Sequence, residues 1–299
     1  MSTQEMSKDE FTAEDGRDVP RYQALSRSEI EKIAENPIEV RDVTEDERSF
    51  YYEHGWVKLP ELISPEQAAE FARLAEEIEA SEPPLALPAH QDAGFRAWSQ
   101  VSMRHEEFAR LCYAPNLGKV AAKLMSNPYF GKRQALRSSD TLQRKAPEKT
   151  GGAPTDWHQD VTYFPLDRDG MLVVWIALVD MTPDMGTMRF VDKSHHMGRF
   201  GLSPSFLDNN LLDVFPGIAE NSTISPPLTM RAGDATVHDA GTIHSAPSNT
   251  TDRKRWVYAC GYIPADARYT GGKHPAYDRL NLPVGEPLNH PTMPLVGTF

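Results

Sequence analysis

The sequence predicts a mainly β fold with flanking helices, and three observations support this prediction. Short apolar segments alternate with turn residues, as in the run from Leu172 to Val179, which follows the turn at 167–170. A continuous apolar run of this length is typical of a buried strand. Residues able to bind a metal lie near the ends of such predicted strands, and the clearest helical patterns lie in the N-terminal half.

The N-terminal region is acidic and polar. Residues 1–48 carry 14 acidic and 7 basic residues, within a chain of 299 residues whose formal net charge is −12. Segments of this composition bury little apolar surface. We therefore expect residues 1–44 to form an acidic, partly flexible N-terminal extension with a short helix at Ser26–Glu35, and residues 45–299 to form a single domain.

Two further helices are predicted beside the strands. One begins after Ser64, which is followed by proline and then by Gln67 at the capping-box position. The other covers Asn116–Met125. Both helices have an apolar stripe at helical spacing, which we expect to pack on the sheet. The stripes consist of Phe71, Leu74, Ala75 and Ile78 in the first helix, and of Leu117, Val120, Ala121 and Leu124 in the second.

A candidate metal site begins at His158-Gln159-Asp160. Residues two apart on a strand point to the same side, so an imidazole and a carboxylate can reach one ion. His244 is the best third ligand. Two histidines and one carboxylate leave other coordination positions open, as in non-heme Fe(II) oxygenases. A structural zinc site would be closed and rich in cysteine, whereas this chain has two distant cysteines.

Other histidines offer alternatives. His90-Gln91-Asp92 repeats the motif, but its proline-rich surroundings predict a loop that would not aim both side chains. His238 precedes His244 by six residues, and on an unbroken strand this spacing separates the two by about 20 Å. His195 and His196 are interpreted as polar loop residues.

A hairpin is predicted to bring a basic residue close to His244. Residues 235–245 form one predicted strand, 247–254 a polar turn and Trp256–Ile263 the returning strand. Arg255 would begin the return strand, where its guanidinium can bind a carboxylate through two hydrogen bonds. Taken alone, Arg255 is also well explained as a surface residue of the basic cluster 253–255.

At these residues the sequence resembles the phytanoyl-CoA dioxygenase family of Fe(II)- and 2-oxoglutarate-dependent oxygenases, and the resemblance covers most of the chain beyond about residue 44. Upstream, residues 51–60 resemble the family's opening strand. One departure is Asp192-Lys193, where the family usually has Pro-Gly. The matching segments are HQDVTYFP from His158, WIAL from Trp175, GTMRFVDKSH from Gly186 and GDATVHDAGTIH from Gly233, followed by Asn249 and Arg255.

The resemblance implies a double-stranded β-helix core, that is, a cupin-like jelly roll. It implies Fe(II), O2 and the co-substrate 2-oxoglutarate as cofactors, with Arg255 on the far carboxylate of 2-oxoglutarate. The implied iron ligands are His158, Asp160 and His244, and the implied lining residues of the co-substrate pocket are Gln159, Trp175 and Thr141. The choice between Thr141 and Gln143 stays open because of a one-residue gap.

The implied reaction releases succinate and CO2 while an unactivated C–H bond is hydroxylated, or the product is desaturated or cyclised. Asp160 argues against halogenation, because related halogenases lack this carboxylate. No clear basic cluster for coenzyme A is seen. We expect four aromatic residues, Trp157, Tyr163, Phe164 and Trp256, to face the cavity, which favours a small, largely apolar or ring-bearing specialised metabolite as substrate.

Two other functions use the same residues: a cupin-type metal-dependent hydrolase or isomerase, and a non-catalytic small-molecule-binding barrel. The first leaves Arg255 without a role, and the second leaves the triad without one. The acidic charge disfavours nucleic acid and anionic membranes as partners, and no apolar run approaches membrane-spanning length. Two cysteines favour a reducing cytoplasm; a homo-oligomer is left open.

Overall fold

The computed structural model describes residues 26–85, 94–129, 131–147, 149, 152, 154–200, 210–274 and 277–299. The second His-Gln-Asp motif at 90–92 and residues 1–25 of the predicted extension lie outside these ranges. The division into an extension and one domain therefore stays a prediction.

The core consists of two antiparallel sheets. The strands are β1 (Trp56–Leu59), β2 (Phe95–Ser99), β3 (Gln134–Lys145), β4 (Thr155–His158), β5 (Leu172–Ala177), β6 (Arg189–Phe190), β7 (Ala235–Asp239), β8 (His244–Ala246), β9 (Arg255–Pro264) and β10 (Leu295–Thr298). The large sheet has the order β1-β7-β5-β9-β3-β10, with β2 also paired to β3, and the small sheet has the order β4-β8-β6. The predicted mainly β fold with a jelly-roll core is confirmed.

Helices cover one face of the large sheet. They are α1 (Arg27–Glu35), α2 (Glu45–His54), α3 (Pro65–Ser81), α4 (Glu106–Cys112) and α5 (Pro115–Met125), and two short helices, α6 (Leu211–Val214) and α7 (Pro216–Asn221), follow later. The capping box predicted at Ser64 is present, since its hydroxyl accepts from the Gln67 backbone N–H at 3.2 Å. Most residues of both predicted stripes are buried, which explains why α3 and α5 pack on the sheet.

The opening strand is shorter than predicted. Residues 51–54 belong to α2, because Thr44 and Glu47 form a capping box at its start. Gly55 then ends the helix with φ 79°, a left-handed conformation that favours glycine. An added Cβ there would lie 2.3 Å from the His195 ring. Strand β1 therefore begins only at Trp56.

Strand β9 shows how the two faces of the large sheet differ. Its even-numbered residues 256–262 pack among the helices, where the Tyr262 hydroxyl donates to the Cys112 carbonyl at 2.9 Å. Its odd-numbered residues 255–261 face the small sheet, and Val257 and Ala259 pack there with Phe190 of β6. We call this second face the inner face. The space between it and the small sheet contains the candidate site.

Within the part of the chain that the structure describes, no helix is long and apolar enough to cross a membrane.

Candidate metal centre

Three side chains converge at one end of the small sheet. The Nε2 atoms of His158 and His244 lie 3.4 and 3.7 Å from Oδ1 of Asp160, and one ligand atom of each residue lies within 4.8 Å of the others. His244 is buried and the other two are partly buried. Two imidazole nitrogens and one carboxylate oxygen form a donor set that fits a divalent iron ion with positions left open.

The local backbone explains this convergence. His158 ends β4 and pairs with His244 of β8. Asp160 is not on the strand, as the sequence had suggested, but begins a 3-10 turn that runs to Tyr163. Gln159 between them is extended, with φ −113° and ψ 133°, so the side chains on either side of it still point the same way.

Both histidines are oriented by backbone carbonyl groups. Nδ1 of His158 lies 2.7 Å from the Asp156 carbonyl oxygen, and Nδ1 of His244 lies 2.9 Å from the Thr242 carbonyl oxygen. Because a carbonyl oxygen only accepts, Nδ1 carries the hydrogen in each ring. The Nε2 lone pairs are therefore free for a metal, the arrangement usual for metal-binding histidines.

The charges of the triad also suit a cation. Burial raises the pKa of Asp160, but the nearby imidazoles of His244, His158 and His238 outweigh it and hold this pKa well below its usual range. Burial and the two neighbouring histidines hold the pKa of His244 well below its usual value. For His158, burial opposes a raised pKa, but its contact with Asp160 raises it. A bound cation would take the place of the proton that a charged His158 carries.

His238 lies much closer to the triad than the sequence predicted. The predicted strand 235–245 is interrupted, because β7 ends at Asp239 and residues 240–243 form a turn before β8. The rings of His238 and His244 are therefore 4.3 Å apart, not about 20 Å as an unbroken strand would give. Nε2 of His238 lies 3.1 Å from Oδ2 of Asp160.

Asp239 shapes this turn. Its Oδ1 accepts from the Gly241 N–H at 2.8 Å, and its carbonyl accepts from Thr242. Burial, with the charge of Asp169 in addition, raises the pKa of the Asp239 carboxyl to about 7, although the Gly241 hydrogen bond lowers it. The folded protein therefore holds this proton more tightly than the unfolded chain does.

We expect Asp239→Asn to stabilise the protein at high pH. An elevated folded pKa favours folding below the unfolded value near 4, and this contribution is lost as pH rises from about 4 to 7. Asparagine keeps the acceptor but cannot ionise. At pH 8 the free energy of unfolding should exceed that of wild type by about 1–3 kcal/mol, with little difference at pH 4.5. Urea unfolding at both pH values measures this; equal pH dependence of the two proteins would contradict it.

Arg255 is buried and has no carboxylate partner in the described part of the chain. It begins β9 on the inner face and is 1% exposed. Its Nη1 donates to the Gly186 carbonyl, and its guanidinium lies 5.2 Å from the centre of the Trp175 ring. Among the described residues, its Nε has no hydrogen-bond partner and no acidic residue pairs with it. Burial lowers the pKa of Arg255 to about 9, which reflects the cost of this site.

Two nearby residues hold this arginine in place. Gly186 has φ 73°, and a Cβ there would lie 2.2 Å from the Pro247 carbonyl oxygen, so only glycine lets its own carbonyl approach Arg255 in this way. The buried Asn249 amide donates to the Arg253 carbonyl at 2.6 Å, and its oxygen accepts from Thr251. Asn249 thereby builds the turn that returns the chain to Arg255.

Lys145 is a further buried basic residue, which the sequence patterns did not single out. It is Arg255's neighbour across the sheet, and it is fully buried. Its Nζ donates to the carbonyl oxygens of Ala246 and Pro247 at 3.0 and 2.9 Å, which ties β3 to the segment after His244. Burial and the charge of Arg255 hold its pKa well below the usual value. The alternating polar residues of β3 could have indicated that this strand contributes side chains to the site.

Thr141 and Gln143 both lie on the inner face, opposite Ala259 and Val257. Both are partly exposed, so strand position does not choose between them as lining residues. Trp175 lies on the same face beneath Arg255. The assignment of these three to a co-substrate pocket stays a prediction.

Gln159 has a further, structural role. It is 1% exposed, and its Nε2 donates to the carbonyl oxygens of Gly198 and Gly241 at 2.9 and 2.7 Å. Its Oε1 accepts from the Phe200 N–H at 3.0 Å. With its amide fully engaged by backbone groups, the prediction that Gln159 lines the co-substrate pocket rests on its position alone.

Two of the four predicted cavity aromatics face elsewhere. Trp256 lies among the helices, where its Nε1 donates to Glu76 at 2.7 Å. Trp157 packs against the apolar cluster that contains Leu211 of α6. Both miss the site because neighbouring strand residues alternate in direction. Tyr163 remains beside the metal ligands, with its ring 6.2 Å from that of His158, and Phe164 stacks with His274 at 5.2 Å.

The turn before Ser194, where the sequence departs from the family pattern, contains a residue in the left-handed conformation. Lys193 stands where the family has glycine, and it adopts φ 60°. Its N–H donates to the His54 carbonyl at 3.0 Å, and Asp192 accepts from the Trp56 indole N–H at 3.2 Å. These contacts stabilise Lys193 in a left-handed backbone conformation, which is strained for lysine. His195 and His196 fall in the following 3-10 turn, outside the triad.

Comparisons with known proteins agree with this geometry. A probable alpha-ketoglutarate-dependent hypophosphite dioxygenase of Stutzerimonas stutzeri is 31% identical over 129 residues, which are 39% of this chain and 42% of the relative's length. Alpha-ketoglutarate is another name for 2-oxoglutarate.

Solved structures match over more of the chain. The non-heme alpha-ketoglutarate-dependent carbocyclase SnoK from nogalamycin biosynthesis is 28% identical, with a TM-score of 0.73 over 87% of this chain and 99% of that one. The epimerase SnoN, in complex with Fe3+, alpha-ketoglutarate and nogalamycin RO, is 26% identical, with a TM-score of 0.68 over 84% of this chain and 98% of that one.

The family profile named phytanoyl-CoA dioxygenase (PhyH) matches residues 51–257. This range contains the triad, the turn at 240–243 and Arg255, and it covers more than half of the chain. The chain belongs to the phytanoyl-CoA dioxygenase family, whose class is that of iron- and 2-oxoglutarate-dependent oxygenases.

Proposed function

We propose that the protein uses Fe(II), 2-oxoglutarate and O2 to hydroxylate, desaturate or cyclise an unactivated C–H of a small ring-bearing metabolite, with release of succinate and CO2. His158, Asp160 and His244 would hold the iron. Their Nε2 and Oδ1 atoms already converge, and both histidines are fixed in the tautomer that a metal needs. Three protein donors leave positions for the co-substrates.

The observation that carries this proposal is that the buried guanidinium of Arg255 has no carboxylate partner among the described residues. A buried charge is costly unless an opposite charge accompanies it. Since no described carboxylate pairs with Arg255, we assign its partner to the far carboxylate of 2-oxoglutarate. This also disfavours a hydrolase or isomerase and a non-catalytic barrel, because neither needs a diacid.

Bound iron would supply redox chemistry and a place for the co-substrate to chelate. The protein's own residues position the reactants. Arg255 would fix one end of the diacid, while Trp175 and Gly186 hold the guanidinium in one orientation. Asp160 would supply a metal ligand in the place that related halogenases leave for a halide, which favours oxygenation over halogenation. Thr141 or Gln143 would line the same pocket from β3.

The inner face suggests the substrate class. Ser139, Thr141 and Gln143 form a polar row on β3, and none makes a side-chain hydrogen bond with another described residue. The small residues Ala259 and Gly261 lie opposite this row, and because Gly261 has no side chain the Ser139 hydroxyl can lie close to its backbone. With Tyr163 beside the metal ligands, the site fits an aromatic or alicyclic ring system that carries oxygen substituents. SnoK and SnoN, which belong to nogalamycin biosynthesis, support this class.

A substrate panel tests this choice. We expect ring-bearing, oxygen-substituted metabolites to stimulate succinate formation from 2-oxoglutarate, with about one succinate per substrate converted, and acyl-CoA esters to give only the background rate. Mass spectrometry would identify the added oxygen, the lost hydrogens or the new ring. His244→Ala serves as the inactive control. Stimulation by acyl-CoA alone, or substrate conversion without 2-oxoglutarate, would contradict the proposal.

The remaining assignments follow from the sequence. We propose residues 45–299 as one catalytic domain with a small-molecule partner, and the cytoplasm as its compartment, because its two cysteines are both free.

A further inference from the structure

We propose that His238 is a positioning residue that holds one oxygen of Asp160, so that this carboxylate offers only its other oxygen to the metal. The inference rests on the proposed function, since it concerns the same iron site. It gives a role to a histidine that lies beside the triad but is not one of its three ligands.

The two oxygens of Asp160 have different neighbours. Oδ1 faces the Nε2 atoms of His158 and His244, at 3.4 and 3.7 Å. Oδ2 faces Nε2 of His238, at 3.1 Å. Because a carboxylate oxygen can only accept, the hydrogen of this bond is on Nε2 of His238. That nitrogen therefore has no lone pair for a metal, and His238 acts as a donor to the ligand instead of being a fourth ligand.

The His238 ring is held firmly. It is 1% exposed, and its strand lies between β1 and β5, where His238 pairs with Trp56 and Val173. The Phe190 ring lies 5.8 Å away, and the His244 ring 4.3 Å away. A donor fixed in this way can hold Asp160 in one rotamer, the usual role of hydrogen-bond partners around metal ligands.

Packing alone does not explain a histidine here. Its Nδ1 is buried without a hydrogen-bond partner in the described part of the chain. Burial of an unsatisfied polar atom costs free energy that an apolar residue of similar size would avoid. Asp160 is the one described residue that forms a hydrogen bond with the His238 side chain. The benefit that offsets this cost is therefore the contact with a metal ligand.

This contact affects how many coordination positions stay open. A carboxylate that bound through both oxygens would occupy two of the positions around the metal, and the triad would then occupy four. With Oδ2 engaged by His238, the triad would occupy three positions, and the others would stay open. His238 would thus preserve room for the diacid and for O2.

Three variants separate hydrogen bonding from shape. His238→Leu removes the donor, His238→Gln places an amide N–H near the position of Nε2, and His238→Asn carries the same amide but is too short to reach Oδ2. We expect the Leu and Asn variants to bind Fe(II) about 10–100-fold more weakly than wild type, and the Gln variant to stay within a few-fold of wild type. Anaerobic titration against a competing chelator measures these affinities. His196→Ala is the control, with no change expected.

The outcomes distinguish this inference from the proposed function. If wild type itself does not bind Fe(II), the proposed function fails. If wild type binds Fe(II) and the Asn variant binds equally well, His238 does not position Asp160. A Gln variant as weak as the Asn variant, with both folded by circular dichroism, would also overturn the inference. Should the Leu variant not fold, the Gln and Asn pair still decides, because both are polar amides that differ in reach.

Discussion

Replacing His244 by alanine is expected to abolish tight Fe(II) binding. The imidazole supplies one of three protein donors, and its Nδ1 hydrogen bond to the Thr242 carbonyl shows that Nε2 is prepared for a metal. Loss of a ligand should weaken binding by more than the ~10–100-fold that follows loss of an outer hydrogen-bond partner. Anaerobic titration of Fe(II) against a chelator measures this. Asp160→Ala should behave in the same way.

The second His-Gln-Asp motif supplies a matched control. His90→Ala changes the same residue type in the same three-residue pattern, but we predict no metal site there. Its Fe(II) affinity should equal that of wild type. Equal losses in His90→Ala and His158→Ala would mean that the motif at 158–160 has no special role, and retained tight binding in His244→Ala would place the third ligand elsewhere.

Replacing Arg255 by alanine is expected to remove most of the affinity for 2-oxoglutarate while leaving Fe(II) binding nearly unchanged. Loss of one partner of a buried, hydrogen-bonded charge pair costs about 2–5 kcal/mol, which corresponds to a dissociation constant at least about 30-fold higher. Calorimetric titration of the Fe(II) or Mn(II) protein with 2-oxoglutarate measures the change.

Two further variants sharpen this prediction. Arg253→Ala removes an exposed positive charge two residues away, and its affinity for 2-oxoglutarate should be that of wild type. Arg255→Lys keeps the charge but not the planar fork, so an intermediate affinity is expected. If Arg253→Ala and Arg255→Ala weaken binding equally, the effect comes from general charge, and the assigned partner of Arg255 is wrong.

Much of the fold and of the triad could be predicted from local patterns. The capping box at Ser64 and the apolar stripes of α3 and α5 depend on neighbouring residues, and the structure confirms them. His158 and Asp160 could be predicted to converge because an extended residue separates them. That argument remains valid even though Asp160 begins a 3-10 turn.

The place of His238 could not be predicted in this way. The six-residue spacing to His244 suggested one long strand, and only the turn at 240–243 brings the rings within 4.3 Å. The hydrogen bond from Gly241 to the Asp239 side chain favours that turn. An aspartate and a glycine two residues apart within a predicted strand were the signal, and they predict an interruption.

The directions of Trp157 and Trp256 were predicted wrongly for a different reason. Trp157 and Trp256 each neighbour a site residue in the sequence, His158 and Arg255, and this nearness suggested the cavity. On a strand, however, an immediate neighbour points to the opposite face. The alternation that places Arg255 on the inner face therefore sends Trp256 into the helical layer. Strand alternation therefore excludes both tryptophans from the cavity.

The most direct test of the account is anaerobic addition of Fe(II) and 2-oxoglutarate to the protein, followed by visible absorption. Chelation of the metal by the keto acid gives a weak charge-transfer band. We predict this band in wild type and in Arg253→Ala, no band in His244→Ala, and in Arg255→Ala a band only at much higher 2-oxoglutarate. No band in wild type, or the same band in all four proteins, would contradict the assignment of this site to iron and 2-oxoglutarate.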